Sequence, residues 1–329
     1  MREPTVYESP SRAQWLDLRR QVVSSTEMAP VAGMPKYGMT RWSLHHIKRG
    51  LMEDTFEPSE RSEIGLAIEH SIARLARKQL GARTVRMRDF MTRGRLGASF
   101  DYEIRQPGHD LDGWLVECKN VDGLVFRDDW DTSSDHRDPQ PPDHIAIQVQ
   151  QQLEVSRRPG CILAVLVGGN RLELIRVVRD PEIGDALHTI AEDFWREIEA
   201  GEEPAVVPED AANVPLVYRY ARPDSVIEAD DEMQERIERY HRVKREAREL
   251  DDLAKQLKAE LMVTAGDAEK VVGKGGYTLD LGITRGNPGT PITEEMVGQM
   301  IGGRKAFRRC VVRRKKATKQ QADAATWGE

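Results

Sequence analysis

Cysteine is scarce in this chain. The three residues, Cys118, Cys161 and Cys310, stand far apart among 329. With no CxxC pair, a zinc ribbon or a cysteine-held iron–sulfur cluster lacks its ligands. A reduced, cytoplasmic setting is the expectation. No run of about 18 apolar residues occurs, so no membrane-spanning helix is expected. The opening Met1-Arg2-Glu3-Pro4 has no apolar signal region, so secretion by that route is not expected either. What is present is a polar globular composition, 39% hydrophobic and 32% charged. It holds enough apolar residues for one substantial core, over a length that suits one large domain or two ordinary ones. A net charge of −6 neither demands nor excludes a nucleic-acid partner.

Hydrophobic spacing divides the chain. A short helix is expected around 15–18, then a turn at Ser24-Ser25-Thr26, a second short helix, and breaks at Gly33, Pro35 and Gly38. Ile64, Ile68, Ile72 and Leu75 recur at helical spacing over 60–80, and Gly81 closes that helix. Over 97–104, alternation predicts one strand, with Ala98, Phe100, Tyr102 and Ile104 on one face and Ser99, Asp101 and Glu103 on the other. A strand over 113–119 sets Trp114, Val116 and Cys118 against Leu115, Glu117 and Lys119. The Asp- and Pro-bearing stretch 122–142 reads as a long loop. A helix over 143–157, a buried strand over 161–167, a strand over 171–178 and an amphipathic helix over 182–200 follow. This order indicates an α/β layer fold.

Residues 204–224 read as a linker or wrapping segment. A long charged helix over 226–261 carries Met233, Ile237, Tyr240, Ala247, Leu250, Leu257 and Leu261 on a narrow stripe, to pack on the main domain or pair with another chain. Short strands are expected over 276–284 and 305–313, with a basic run from Arg304 to Lys319. The expected division is a domain over 1–220 and a C-terminal extension over 221–329.

Several carboxylates stand where carboxylates are costly. Glu69 shares a helix face with Gly65, Ile72, Ala73 and Ala76, all small or apolar. Asp101 lies inside a predicted strand, where Asp is disfavoured. Glu117 and Lys119, two apart, share one face of the next strand. If the two strands pair, Asp101 and Glu117 converge. Two carboxylates with the Cys118 carbonyl suit Mg²⁺ or Mn²⁺, and Lys119 beside them is placed to orient or deprotonate a water for attack on a phosphodiester. An isolated E-x-K is ordinarily a solvated strand face. The full set on helix, strand and strand is far more specific.

This set resembles the PD-(D/E)xK nuclease motif, and within it the YqaJ-like viral recombinases, the family of phage lambda exonuclease. Trp15-Leu-Asp-Leu-Arg19 followed by Ser24-Ser25-Thr26-Glu27 is similar to that family's N-terminal segment. Gly97-Ala98-Ser99-Phe100-Asp101 is similar to its GASPD strand, and Gln148-Val149-Gln150 to its QVQ helix. The resemblance covers about 11–203. Phe100, Tyr102 and Asn120 depart from the family's pattern, and none of them removes a metal ligand.

The resemblance implies a restriction-endonuclease-like core, a central mixed β-sheet flanked by helices, with the long helix and a small β extension at the C-terminus. It implies that Asp101, Glu117, the Cys118 carbonyl and Glu69 hold Mg²⁺, with Mn²⁺ as a substitute. Lys119 positions or activates the water, and Gln148 orders the site. Arg19, Thr26 and Ser25 hold the 5′-phosphate of the cut strand, with Trp15 supporting that pocket. The implied activity is digestion of the 5′-ended strand of linear duplex DNA, leaving 3′ overhangs for a single-strand annealing protein. The implied assembly is a trimeric or tetrameric ring. The alternatives are an endonuclease or single-strand nuclease of the same fold, and a non-catalytic DNA-binding scaffold.

Other signals are weaker. His45-His46 point about 100° apart on a helix, which speaks against joint ligation. Gly273-Lys274-Gly275-Gly276 lacks phosphate-loop spacing and reads as a turn. Gln148, Gln150, Gln151 and Gln152 read as one inward and three outward amides. The basic run suits phosphate neutralisation as well as it suits a solvated tail.

Overall fold

The computed structural model describes residues 3–54, 59–131, 139–274 and 277–282. The chain divides into two units between Tyr218 and Arg219.

The first unit opens with β1 (Thr5–Tyr7), α1 (Arg12–Arg20), β2 (Val23–Ser24), α2 (Met28–Val31), α3 (Arg41–Lys48) and α4 (Glu60–Leu80). It continues through β3 (Thr84–Arg86), β4 (Phe90–Arg93), β5 (Leu96–Ser99), β6 (Tyr102–Ile104), β7 (Leu115–Val121) and α5 (Gly123–Asp129). It ends with α6 (Asp143–Ser156), β8 (Gly160–Val167), β9 (Arg171–Val178), α7 (Pro181–Ala200) and α8 (Val214–Val217). The main sheet has the order β3-β6-β7-β8-β9, with β7 and β8 parallel and the other neighbours antiparallel. A second sheet has the order β1-β4-β5-β2.

The two faces of the main sheet are buried by different partners. Tyr102, Ile104, Val116, Ile162 and Ala164 pack with Ile72, Ala73 and Ala76 of α4. Leu115, Cys161, Leu163, Val165 and Ile175 pack with Val149 and Leu153 of α6 and with residues from the second sheet, α2 and α7. Cover on both faces explains why β8 reads as a continuous apolar run. The expected α/β class, a mixed sheet flanked by helices, is what the chain forms. Helix α4 starts where the Ser59 side chain caps the Ser62 amide and ends at Gly81, whose φ of 64° suits a residue without a β-carbon. Its buried residues are Ile72, Ala73 and Ala76, whereas Ile64 and Leu75 are exposed, so the buried stripe is narrower than the spacing predicts.

Two expectations are corrected. The single strand over 97–104 is two strands in two sheets. β5 pairs with β4 and β2, and β6 pairs with β3 and β7. The chain bends at Asp101, which therefore sits between strands rather than inside one. Alternation continues across such a crossing, so periodicity alone does not reveal it. Gly97 permits the crossing, because a β-carbon there would lie 2.5 Å from Val22 Cγ2 and 2.8 Å from Phe90 Cζ.

The stretch 122–142 is not all loop. Asp122 Oδ1 accepts from the Leu124 amide and starts α5. Phe126 and Trp130, four apart, stack at 5.0 Å between ring centroids and are buried in the core. Asp131 and Gln140 exchange backbone hydrogen bonds across the remainder.

Residues 204–218 wrap the first unit. Asp210 is fully buried, accepting from the Thr40 hydroxyl and from the Val207 amide.

The second unit contains α9 (Asp231–Ala265) and a hairpin of β10 (Lys270–Val272) with β11 (Thr278–Asp280). No residue of α9 is buried. The expected strand over 305–313 and the basic run lie outside the described residues. Among the described residues, no helix is long and apolar enough to cross a membrane.

Candidate active site

The pairing of β6 with β7 sets Tyr102 opposite Val116 and Glu103 opposite Leu115. One step further, the bend at Asp101 meets β7 at Glu117 and Cys118. Asp101 Oδ2 accepts from the Cys118 amide at 2.8 Å. Glu117 and Lys119 point to the α6 side of the sheet, and the Lys119 Nζ donates to Glu117 Oε1 at 2.7 Å. Helix α6 closes the group. Gln148 Nε2 donates to Glu117 Oε1 at 2.7 Å, and Gln148 Oε1 accepts from Lys119 Nζ at 3.1 Å. Four of the predicted residues, Asp101, Glu117, Lys119 and Gln148, therefore form one contiguous cluster.

Glu69, on α4, stands near this cluster and pairs with Arg86 at 3.4 Å. Burial raises its carboxyl above the ordinary range. Arg86 opposes that shift and the charge of Glu117 adds to it. Asp101 is pushed well above its ordinary range, first by burial and then by Glu117, while Lys119 and the Cys118 amide pull the other way. Burial works against the charge of Lys119, yet Glu117 and Asp101 more than offset it and hold the ammonium above its usual range. The Cys118 thiol is pushed up by burial and by the same carboxylates. The site thus concentrates negative charge in a desolvated place, a pattern that marks functional sites more often than structural ones.

A second cluster lies at the turn after α1. Arg19 Nη2 meets Glu27 Oε1 at 2.9 Å, and Lys48 Nζ meets Glu27 Oε2 at 2.7 Å. Lys48 also donates to the Arg19 carbonyl at 2.7 Å. Burial would raise the Glu27 carboxyl, but Lys48 and Arg19 overcome it and hold the group at about 2. The Arg19 guanidinium lies 4.7 Å from the Trp15 ring centre. Trp15 Nε1 donates to Ser99 Oγ at 3.0 Å, which ties this helix to the strand that leads into Asp101. Ser24 Oγ and Thr26 Oγ1 are 3.4 Å apart. Thr26 is exposed, whereas Ser25 is buried.

The glutamine run corrects its sequence reading. Gln150, Gln151 and Gln152 are all buried rather than outward. Gln151 Nε2 donates to the carbonyls of Val23 and Gly97, joining β2 to β5. Gln152 Nε2 donates to Glu117 Oε2 at 2.8 Å and to the Ser99 carbonyl at 3.1 Å. Gln150 holds the Val178 carbonyl and the Asp180 amide. The reason is that α6 is enclosed between the main sheet, the second sheet, α2 and α7. Sequence reasoning missed Gln152, although it lies four residues from Gln148 on the same helix face. It also gave no role to Glu27, and Lys48 carried no local signal. His45 and His46 are both buried. Their ring centres are 5.2 Å apart, and His46 lies against Trp42.

The donor types present are hard oxygens, which suit a hard divalent cation. Among the described residues, no three His, Cys, Asp or Glu side chains converge as a ready-made metal cluster. It is the surplus of negative charge in a partly buried place that fits a cation.

Fold and site together define an α/β protein with a carboxylate–lysine centre raised on a helix, a bend and a strand. Residues 14–159 match the model of the YqaJ-like viral recombinase domain. The protein YqaJ of Bacillus subtilis (strain 168), itself called uncharacterized, is 25% identical over 266 residues, spanning 79% of this chain and 80% of its own. Among solved structures, an alkaline exonuclease (LHK-Exo) from Laribacter hongkongensis is similar with a TM-score of 0.44 and 18% identity, over 61% of this chain and 99% of that one. A phage-related exonuclease from Haemophilus somnus 129PT is similar with a TM-score of 0.42 and 11% identity, over 56% and 98%. These are distant likenesses, and the architecture described above stands on the pairing of the chain's own strands.

Proposed function

We propose that this chain is a metal-dependent deoxyribonuclease that digests the 5′-ended strand of linear duplex DNA and leaves 3′ overhangs. The observation that carries the reading is the Asp101–Glu117–Lys119 cluster, with Glu117 buried and the other two half-buried, Gln148 fixing the lysine and Glu69 nearby. The match of residues 14–159 to the YqaJ-like viral recombinase domain supports it.

Asp101, Glu117, Glu69 and the Cys118 carbonyl would hold Mg²⁺, with Mn²⁺ as a substitute. The chemistry a bound ion supplies is charge stabilisation at the attacking and leaving oxygens. The chain's own residues do the rest. Lys119, its ammonium held between Glu117 Oε1 and Gln148 Oε1, orients the water whose oxygen bonds to phosphorus as the bond to the leaving oxygen breaks. Gln152 and Gln148 together fix both oxygens of Glu117. Arg19, with Ser25, Thr26 and Trp15, receives the 5′-phosphate. A guanidinium beside hydroxyls on a turn suits that anion. The expected partners are double-stranded DNA ends, a single-strand annealing protein and further copies of the chain in a trimeric or tetrameric ring.

A specific observation favours a second reading, an endonuclease with the same centre. Arg19 already has a buried counter-ion in Glu27, so the end pocket is internally neutralised. Linear duplex DNA labelled at either end, with and without 5′-phosphates, separates the two. Mg²⁺-dependent loss from phosphorylated 5′ ends, reduced by Arg19→Ala, is the expected result. Equal nicking of circular DNA, unchanged in Arg19→Ala, would favour the endonuclease. No cleavage by the wild type under either metal would remove the nuclease reading and leave a DNA-binding scaffold.

A further inference from the structure

Helix α9 spans 35 residues, about 52 Å at 1.5 Å per residue, with none buried. Met233, Tyr240, Val243, Leu250, Leu257 and Leu261 are each between 46% and 66% exposed. A helix of this length with large apolar side chains open along it calls for a covering partner. The spacing is heptad. Met233, Tyr240, Ala247, Ala254 and Leu261 recur every seven residues, and Val243, Leu250 and Leu257 recur every seven, three residues after them. This is a two-strand seam, narrower than the stripe needed to seat a helix on a globular core.

We propose that α9 pairs with α9 of a second copy of this chain, antiparallel and fully overlapped. The charges flanking the seam carry the direction. In an antiparallel pair centred between Arg248 and Glu249, Ala247 faces Leu250 of the second copy, Ala254 faces Val243, and Tyr240 faces Leu257. The flanking residues then meet as Lys244 with Asp251 and Arg239 with Glu260, each of opposite sign, and each made twice by the two-fold axis. A parallel in-register pair would instead set Arg239 against Lys244 and Glu246 against Asp251, both of like sign, and would stack Arg236 on its own copy. Sliding the antiparallel pair by one heptad either way brings Lys244 against a lysine and Glu246 against a glutamate. Each flanking pair contributes little by itself, but together they exclude the alternatives. The central Ala247 and Ala254 let the backbones approach closely. Arg236 falls near an end, opposite Leu261, where its head group reaches water. Asp251 already meets Lys255 in its own helix at 2.5 Å and has a second oxygen for Lys244 of the other copy. The centre of the pairing coincides with the middle of Asp231–Ala265, so nearly the whole helix is used.

The test is sedimentation equilibrium of the full chain over a concentration series, with circular dichroism as the check on folding. The wild type is expected to self-associate. Leu250→Glu is expected to weaken an association step at least tenfold. Lys244→Glu alone is expected to weaken it, and the double variant Lys244→Glu with Asp251→Lys is expected to restore it. A parallel pair predicts the opposite for Lys244→Glu, because the introduced carboxylate would then attract Arg239. Tighter association of Lys244→Glu, an unchanged mass distribution in folded Leu250→Glu, or a wild type that stays monomeric throughout would each overturn the proposal. None of these readouts uses nuclease activity, so this pairing and the nuclease reading stand or fall separately.

Discussion

Glu154 and Glu117 are both buried carboxylates at α6, and their surroundings are opposite in sign. Glu154, on the helix itself and 1% exposed, is met by Arg93, by Arg179 Nη2 at 2.7 Å and by His188 at 3.2 Å. It gathers guanidiniums from β4 and from the end of β9, and an imidazole from α7. Glu117, 5% exposed and held by α6 from across the sheet, has Lys119 as its ion-pair partner, with Asp101 and Glu69 adding negative charge. The first cluster is over-compensated and fastens elements together. The second is under-compensated and has need of a cation. The sign of the uncompensated charge, rather than burial, separates a structural ion cluster from a site that binds something.

The largest expected effect tests the under-compensated side. Lys119→Ala is expected to lower DNA cleavage by about 10²–10³-fold, the range for loss of one positioned donor at the reacting oxygens, measured on end-labelled duplex with Mg²⁺. Asp101→Asn is expected to abolish cleavage while leaving the thermal midpoint unchanged or higher, because the amide keeps the acceptor for the Cys118 amide and removes a repelling charge. A clear drop in midpoint would contradict the contrast drawn above.

The over-compensated side predicts the reverse pattern. Glu154→Ala leaves Arg93 buried without its carboxylate, and is expected to cost about 3–5 kcal/mol in urea unfolding. A loss under about 1 kcal/mol, the level of an exposed pair, would mean that the cluster does not fasten the fold.

Glu27 stands between the two, with a carboxylate balanced by Lys48 and Arg19. Its carboxyl is held at about 2, against an ordinary 4.5, so the folded state binds its proton less readily than the unfolded one. That stabilisation is fully present above the unfolded value and disappears as pH falls toward 2. It amounts to about 3 kcal/mol from the linkage relation. Unfolding free energy measured from pH 6 down to 2 is expected to fall less steeply in Glu27→Gln than in the wild type.

The smallest effect belongs to a neutral group. Gln151→Ala removes the amide that serves the Val23 and Gly97 carbonyls and is expected to cost about 1–3 kcal/mol. Its cleavage rate is expected to fall far less than that of Lys119→Ala.

Much of the architecture is legible in periodicity. The helices 60–80, 143–157 and 182–200 and the strands 161–167 and 171–178 follow from apolar spacing and recur with small shifts at their ends. The break at Asp101 is not legible, because alternating residues continue through a strand that changes sheets. Residues 122–142 mislead because Asp and Pro dominate the count, while Phe126 and Trp130, one helical turn apart, anchor the segment. In the site, Asp101, Glu117 and Lys119 announce themselves as charges in places that should be apolar. Gln152 and Lys48 do not, because a neutral amide on a helix and a lysine at a helix end carry no such cost until tertiary packing encloses them.

Helix α6 has a consequence for tolerance to mutation. An ordinary amphipathic helix accepts substitution on its solvent face, so a saturation scan along it rises and falls every three to four residues. From 148 to 154 this helix has no such face. Gln148 serves Lys119, Val149 the core, Gln150 the edge of β9, Gln151 the β2–β5 junction, Gln152 the Glu117 carboxylate, Leu153 the core and Glu154 the cation cluster. A scan of this stretch should therefore show a contiguous block of intolerance with the helical period erased, in a segment whose composition alone resembles a polar repeat.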